Sequence, residues 1–133
     1  MRFMSLYKPG VEPNGPPDQQ KMAALGQLIE EMTSGGVMIA TDGLLPSSTG
    51  ARVRISDRQF IVTDGPFAET KELIAGYAIL QVESKAEAIR WAKRFLDVMG
   101  EGECEIRPMF DSENGYCLED ADSARHSSTA ASR

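Results

Sequence analysis

The alternation of apolar and polar side chains along the chain predicts β-strands separated by two helices. Runs that alternate and are rich in β-formers indicate strands, because successive side chains of a strand point to opposite faces. Four such strands are predicted at residues 2–8, at 37–41, within 73–82 and at 103–110. In the last of these, Cys104 and Ile106 are expected to face inward.

Apolar residues spaced three and four apart predict the two helices. The first is expected to begin after Asp18, whose side chain can cap it, and to end at Gly35-Gly36, one of which takes the left-handed conformation. The second opens with a capping box formed by Ser84 and Glu87. Its core-facing stripe is predicted to hold Ile89, Ala92, Leu96 and Met99, widened by Ala88, Trp91 and Phe95.

A hairpin is predicted between the two halves of this pattern. Residues 52–55 alternate, residues 56–58 form a turn, and residues 59–63 return. The order is therefore β-α-β, a hairpin, and β-α-β, which predicts an α+β fold of the ferredoxin-like sandwich type with both helices on one face of an antiparallel sheet. The other face also carries apolar residues, so we expect a second copy to cover it in a homodimer.

Composition narrows the class of protein. The 133 residues are 41% hydrophobic and 26% charged, with a net charge of −6, which is typical of a globular protein and leaves no positive field for a nucleic-acid partner. No run reaches the ~18 apolar residues of a membrane span, and residues 1–5 do not form a signal peptide. Cys104 and Cys117 form no C-x-x-C motif, which indicates reduced thiols in the cytoplasm.

Two regions differ in composition. Residues 1–110 are expected to form one α+β domain, whereas residues 111–133 hold five serines, one threonine and five acidic residues. A segment of this kind buries too little surface to offset its ordering entropy, so we expect a polar acidic tail that is mobile beyond about Leu118. Docking of the part around Tyr116 is the alternative.

Residues 62–72 form the most distinctive polar segment. Asp64 is expected to accept a backbone N–H bond from two residues on, Gly65 to adopt a positive φ, and Phe67 to anchor the turn against the core. The residues that follow place carboxylates beside Thr70 and Lys71. Such a segment either forms the rim of a pocket for a small charged molecule or is a connector whose lysine pairs with a nearby carboxylate.

The string Asp64-Gly65-Pro66-Phe67-Ala68-Glu69-Thr70-Lys71-Glu72 resembles the signature of the DGPF-type members of the YCII-related family. Residues 45–54, 75–77, 87–94 and 105–108 are similar to other parts of those proteins, so the resemblance covers about residues 1–110. It implies a ferredoxin-like fold that forms a homodimeric α+β barrel. It also implies a small bacterial protein, sometimes linked to sigma factors of the extracytoplasmic type, with a mostly unassigned role.

One departure from the family limits what the resemblance implies about chemistry. The YCII branch is thought to use a histidine near the first helix and an aspartate after the second. The sole histidine of this chain is His126, in the tail, and Asp97 lacks the proline and aromatic residue that follow in that branch. The histidine–aspartate pair is therefore not carried over to this chain.

The candidate site is a cleft between the sheet and the segment from Asp64 to Glu72. Its expected ligand-binding residues are Tyr7, Lys8, Asp42, Ser47, Ser48, Thr49, Asp64, Glu69, Thr70 and Lys71. There is no P-loop or G-x-G-x-x-G motif, so we expect no cofactor, and convergence of Asp42, Asp64 and Glu69 on a metal is disfavoured.

Three functions follow from these observations. The leading hypothesis is a dimeric module that binds a small ligand or regulates another protein. The second is an enzyme acting on a small metabolite, with Asp64 or Glu69 as the base and Lys71 as an electrostatic stabiliser. The third is an interaction module that docks to a transcription factor. A perturbed carboxylate in a concave pocket would favour the enzyme.

Overall fold

The structure, a computed structural model, describes residues 1–13, 15–68 and 72–110. Its elements are β1 (Arg2–Lys8), α1 (Gln19–Ser34), β2 (Met38–Gly43), a 3-10 turn (Ser47–Thr49), β3 (Ala51–Ser56), β4 (Gln59–Asp64), β5 (Gly76–Gln81), α2 (Lys85–Met99) and β6 (Glu103–Pro108). The expectations for the tail, including its mobility and the docking of Tyr116, concern residues outside those described. None of the described helices is both long and apolar enough to cross a membrane.

Four strands form one antiparallel sheet in the order β2-β5-β1-β6. The strand pairing places Phe3 opposite Leu80 and Pro108, so β1 lies at the centre of the sheet. Both helices lie against the face that carries Phe3 and Leu80. This mixed α+β arrangement, with an antiparallel sheet and two helices, is compatible with the predicted ferredoxin-like sandwich.

The hydrophobic core lies between the sheet and the helices. Phe3 and Leu80 are 1% and 2% exposed, and α1 contributes Leu28 and Met32 to the same cluster. Ala88 of α2 is fully buried against them. Burial of large apolar side chains on one face of the sheet is the main favourable contribution to the stability of this layer.

The predicted helix ends are confirmed. One carboxylate oxygen of Asp18 accepts hydrogen bonds from the backbone N–H groups of Gln20 and Lys21, at 2.8 and 3.3 Å. Gly36, after α1, has a φ of +76°. The side-chain oxygen of Ser84 accepts a bond from the N–H of Glu87 at 3.2 Å. These bonds use N–H groups that have no partner within the helix.

The predicted stripe of α2 is partly wrong. Ile89, expected in the core, is 38% exposed, whereas Ala88 and Ala92 are buried and Trp91 and Phe95 pack against the core. The small alanine side chains let the helix lie close to the sheet, so the line that faces the sheet passes through them. The larger β-branched residue is turned toward the edge.

Strands β3 and β4 form a separate two-stranded sheet, as the hairpin prediction expected. Their turn consists of Asp57 and Arg58, both with positive φ (51° and 67°), which is the conformation that matches the twist of a hairpin. Every residue of both strands is exposed. We call residues 51–64 the hairpin below.

Candidate functional site

Three long loops leave the four-stranded sheet at the same end. The strands β1 and β2 finish there, and β5, which is antiparallel to both, begins there. The described parts of these loops are residues 9–13 with 15–18 (the proline-rich loop), 44–50, and 65–68 with 72–75, and we call this end of the sheet the loop end. Backbone bonds join the loops to the sheet: Leu44 N–H donates to the carbonyl of Ala75, and Ala75 N–H donates to that of Tyr7, both at 2.8 Å.

The sheet face turned away from the helices, here called the open face, carries a transverse row of polar side chains near the loop end. The pairing places Asp42 opposite Tyr77, Tyr77 opposite Leu6, and Leu6 opposite Glu105. Lys8 is two residues beyond Leu6 on the same face, because side chains alternate along a strand. This row brings charged and phenolic groups from all four strands to one place.

Lys8 lies between two carboxylates. Its Nζ donates to Oε1 of Glu105 at 2.8 Å and to Oε1 of Glu72 at 3.1 Å, and its side chain is only 11% exposed. The hydrogen bonds to Glu105 and Glu72 raise the pKa of Lys8 to about 12. The same bond from Lys8 lowers the pKa of Glu105. Lys8 is therefore a fixed positive charge with a carboxylate on each side.

Tyr77 and Asp42 form the other half of the row. The hydroxyl of Tyr77 donates to Oδ2 of Asp42 at 3.1 Å, and this hydrogen bond raises the pKa of the phenol. Thr41 Oγ1 donates to the backbone carbonyl of Tyr77 at 2.8 Å and ties β2 to β5 at this point. The open face thus presents a neutral phenol beside a carboxylate acceptor.

Ser47 connects the three loops. Its N–H donates to Oε2 of Glu12 at 2.6 Å, and its hydroxyl donates to Oε1 of the same carboxylate at 2.8 Å. The N–H of Phe67 in turn donates to the hydroxyl of Ser47 at 3.3 Å. One serine therefore fixes the proline-rich loop and the segment after β4 against each other.

Gly65 is required by a close approach rather than by its φ. A Cβ at this position would overlap the carbonyl of Ser47. The predicted positive φ at Gly65 is wrong, since Gly65 is not among the glycines that have one. Its N–H donates to the carbonyl of Gly50 at 3.0 Å, which closes the base of the hairpin.

Two other expectations for this turn are corrected. The side chain of Asp64 forms no hydrogen bond with any described residue, because the residue two positions on is Pro66, which has no N–H to donate. Phe67 does not join the core cluster; instead, the guanidinium of Arg52 lies 4.0 Å from the centre of its ring. A cation–π contact thus anchors the turn to β3.

Spaces between the loops differ in size. A cavity of about 40 Å³, lined by residues that include Pro9 and Ile74, holds little more than one water molecule. A shallow groove of about 600 Å³ runs between the proline-rich loop and the loop after β2. Its lining residues are Glu12, Pro13, Gly15, Pro16, Pro46 and Ser48. The groove is large enough for a small molecule.

The chain is similar to known proteins of one family. The family model of the YCII-related domain matches residues 1–112. The chain belongs to the YCII-related family. It is also 31% identical over 93 residues to an uncharacterized protein of Rhizobium meliloti (strain 1021), an alignment that covers 69% of this chain and 75% of that protein.

The residues predicted for the site of this YCII-related protein are placed as follows. Lys8 and Asp42 lie on the open face, whereas Tyr7 lies under α2, with its hydroxyl donating to the carbonyl of Glu101 at 3.0 Å and its ring 4.9 Å from that of Phe95. Ser48 lines the groove, and the hydroxyl of Thr49 donates to the carbonyl of Pro46 at 2.7 Å. Glu69, Thr70 and Lys71 lie outside the described residues.

Sequence reasoning missed four residues of this site, namely Glu12, Glu72, Tyr77 and Glu105. The alternation of β5 and β6 already placed Tyr77 and Glu105 on the face away from the core, and this was the available signal. Glu12 carried no signal, since its role depends on contact with a loop 35 residues away.

The described residues offer neither a metal site nor a reactive thiol. Within the described part of the chain, no three histidine, cysteine or acidic side chains are grouped to hold a metal ion. Cys104 is half-buried, as the inward prediction for it implied, and burial raises the pKa of its thiol. A thiol with a raised pKa is a weak nucleophile.

Proposed function

We propose that this YCII-related protein is a homodimeric small-ligand-binding module with a site at the loop end of its open face. The ligand class is a small molecule that carries a positive charge or several N–H donors. The observation that carries this proposal is the row formed by Lys8 and its two carboxylates together with Tyr77 and Asp42.

The charge of the row selects the ligand class. Asp42, Glu72 and Glu105 supply three carboxylates, and Lys8 supplies one positive charge that is already bonded to two of them. The carboxylate of Asp42 accepts only the hydroxyl of Tyr77 among the described residues, so it keeps acceptor capacity for an incoming N–H group. An ammonium or guanidinium group fits this surplus of acceptors.

Binding is favoured over acid–base catalysis by the direction of the pKa shift at Glu105. A general base that works near neutral pH needs a carboxyl pKa raised toward 7, and the bond from Lys8 moves that of Glu105 the other way. Lys8, with a pKa of about 12, is equally unsuited to proton transfer. The row therefore holds charges in place.

The open face of the sheet supports the proposed homodimer. Met4, Leu6 and Ile79 form its centre, and both helices lie on the opposite side. We infer that two copies pack these faces together to form an α+β barrel, because apolar surface on an uncovered face marks an interface. In keeping with Cys104, which forms no disulfide with a described residue, we place the protein in the cytoplasm.

Ligand binding is tested by thermal shift and calorimetry with small amines, led by putrescine, and with succinate as the anionic comparison. We expect the amines to raise the melting temperature and succinate to leave it unchanged. Asp42→Asn should weaken amine binding about tenfold, since it removes the charge and keeps the shape. Glu30→Gln, on the exposed surface of α1, is the matched control. Equal binding to all three proteins would contradict the proposed site.

The dimer is tested by light scattering at micromolar concentration. We expect about twice the chain mass of 14.5 kDa for the parent protein. Ile79→Lys places a charge at the centre of the proposed interface and should yield monomers that keep their fold, whereas Lys93→Glu on the outer side of α2 should stay dimeric. A monomeric parent protein would contradict the proposal.

A further inference from the structure

The hairpin has one apolar face and one more polar face, and no described element of the fold packs over the apolar one. The pairing of Val53 with Val62 and of Ile55 with Phe60 puts four large apolar side chains on the same face. They are 67%, 63%, 61% and 74% exposed, in that order. The opposite face carries Arg52, Arg54 and Thr63, together with Ile61, which is 39% exposed. An isolated two-stranded hairpin is at best marginally stable in water, so this apolar face calls for a partner.

We propose that the hairpin of one copy packs its apolar face against the body of a second copy of this chain. The receiving surface is the partner's edge strand β2 together with the loops after β2 and before β5, where Ile39, Leu44, Leu45 and Ile74 are exposed. This inference rests on the homodimer proposed above and adds the hairpin to its interface. A two-fold axis makes the contact reciprocal, so each hairpin packs on the other body.

The area that a stable dimer needs supports this occupant. A specific interface buries about 800 Å² on each partner. The centre of the open face offers three half-buried side chains, Met4, Leu6 and Ile79, which is on the order of 200 Å² of apolar surface. The four hairpin side chains add on the order of 400–500 Å². The open face falls short alone, and the two surfaces together approach the required area.

Charge supports the same occupant. The hairpin holds three of the 14 basic residues of the chain and two of its 20 acidic residues. It is therefore slightly basic, whereas the remainder of the chain is strongly acidic. Arg52 and Arg54 lie on the face away from the proposed contact, so they reduce the repulsion between two copies of charge −6 at longer range and do not pair across the contact.

The first test compares two adjacent positions of β4 that point to opposite faces. Val62→Lys charges the apolar face, and Thr63→Lys adds the same charge to the polar face. We expect Val62→Lys to raise the dissociation constant of the dimer about tenfold or more in sedimentation experiments, and Thr63→Lys to change it less than about threefold. Equal effects of the two substitutions would overturn the inference.

The second test shows which copy the hairpin touches. A nitroxide is attached to Asp57→Cys in a chain whose two native cysteines are replaced by serine, and this chain is mixed with an isotope-labelled copy that has no nitroxide. We expect the amide signals of Ile39 and Ile74 to broaden in the labelled copy. Broadening seen only when nitroxide and isotope are in the same chain shows a hairpin folded on its own body and overturns the inference.

These outcomes separate the inference from the function on which it rests. A dimer that Ile79→Lys dissociates but Val62→Lys does not would refute the role of the hairpin and leave the proposed dimer intact. A monomeric parent protein would refute both. Amine binding is measured independently of either substitution.

Discussion

The four-stranded sheet and the hairpin show opposite outcomes for similar sequences. Both contain short alternating strands with a phenylalanine among them, yet Phe3 is 1% exposed and Phe60 is 74% exposed. The sheet is backed by two helices that its own βαβ connections supply, whereas no described helix or sheet covers either face of the hairpin. A strand is thus stabilised by the layer that packs against it. Its own alternating pattern does not indicate whether that layer comes from the same chain or from another.

The largest effect is expected from a matched pair of alanine substitutions, one in the sheet and one in the hairpin. Phe3→Ala should lower the free energy of unfolding by about 3–5 kcal/mol, because it leaves a cavity in the core. Phe60→Ala should cost less than about 1 kcal/mol when measured at concentrations where the protein is monomeric. Chemical denaturation measures both. A large loss from Phe60→Ala in the monomer would show that the hairpin packs on its own chain.

Two glycine-to-alanine substitutions, one at the base of the hairpin and one in α1, sharpen the comparison. Gly65→Ala should destabilise by about 1–3 kcal/mol, since the added Cβ meets the backbone of Ser47 and forces the loops apart. Gly26→Ala, within α1 and facing open space, should instead stabilise by about 0.5–1 kcal/mol. Thermal melts of the two variants suffice. If Gly65→Ala melts like the parent protein, the contact with Ser47 is not needed to hold the loop end together.

The ion pair between Lys8 and Glu105 on the open face makes the stability of the folded state depend on pH. Folding lowers the pKa of Glu105 from its ordinary value of 4.5, so the pair stabilises the folded state above pH 4.5 and this contribution is lost as pH falls through the lowered pKa. The pKa of Lys8 is raised from 10.5 to about 12, so the contribution persists below pH 10.5 and is lost as pH rises through about 12.

Denaturation of Glu105→Gln across this range measures the effect. The variant should be less stable than the parent protein at pH 7, and the difference should shrink toward zero below pH 4.5. Glu103→Gln, exposed on the same strand, is the control and should show a small difference at every pH. A difference for Glu105→Gln that does not change with pH would mean that the charge of this carboxylate is not what matters.

The smallest expected effect is at Asp64. Its side chain makes no hydrogen bond with the described residues, and its place in β4 depends on the backbone. Asp64→Asn and Asp64→Ala should therefore each change the free energy of unfolding by less than about 0.5 kcal/mol. Thermal melts check this. A clear loss for alanine alone would show that the side-chain oxygen of Asp64 accepts a stabilising hydrogen bond after all.

Much of the fold could be predicted because its signals are local. The caps at Asp18 and Ser84 and the turn at residues 57 and 58 depend on neighbours within a few residues. The alternation within 73–82 placed Leu80 and Tyr77 on opposite faces, and that of the last strand placed Cys104 and Ile106 inward. Family resemblance supported the same architecture over the matched region.

The candidate site was less predictable because its contacts are distant in sequence. Lys8 meets Glu72 across 64 positions and Glu105 across 97, and no local pattern specifies either pairing. The identity of Gly65 suggested a special φ, but the actual constraint is the carbonyl of Ser47 against its backbone. Tyr7 was predicted to bind a ligand, but it lies under α2, where its hydroxyl donates to the carbonyl of Glu101.

The sequence by itself therefore determined the strands, the helix ends, the hairpin turn and which residues of a strand share a face, since each depends on periodicity or on bonds between near neighbours. The tertiary structure alone decided that Lys8 lies between two carboxylates, that Glu12 and Ser47 hold the loops together, and that the apolar face of the hairpin is left uncovered. The physical reason is that strand pairing and loop closure bring together residues that are far apart in sequence, and no local pattern in the chain specifies which of them will meet.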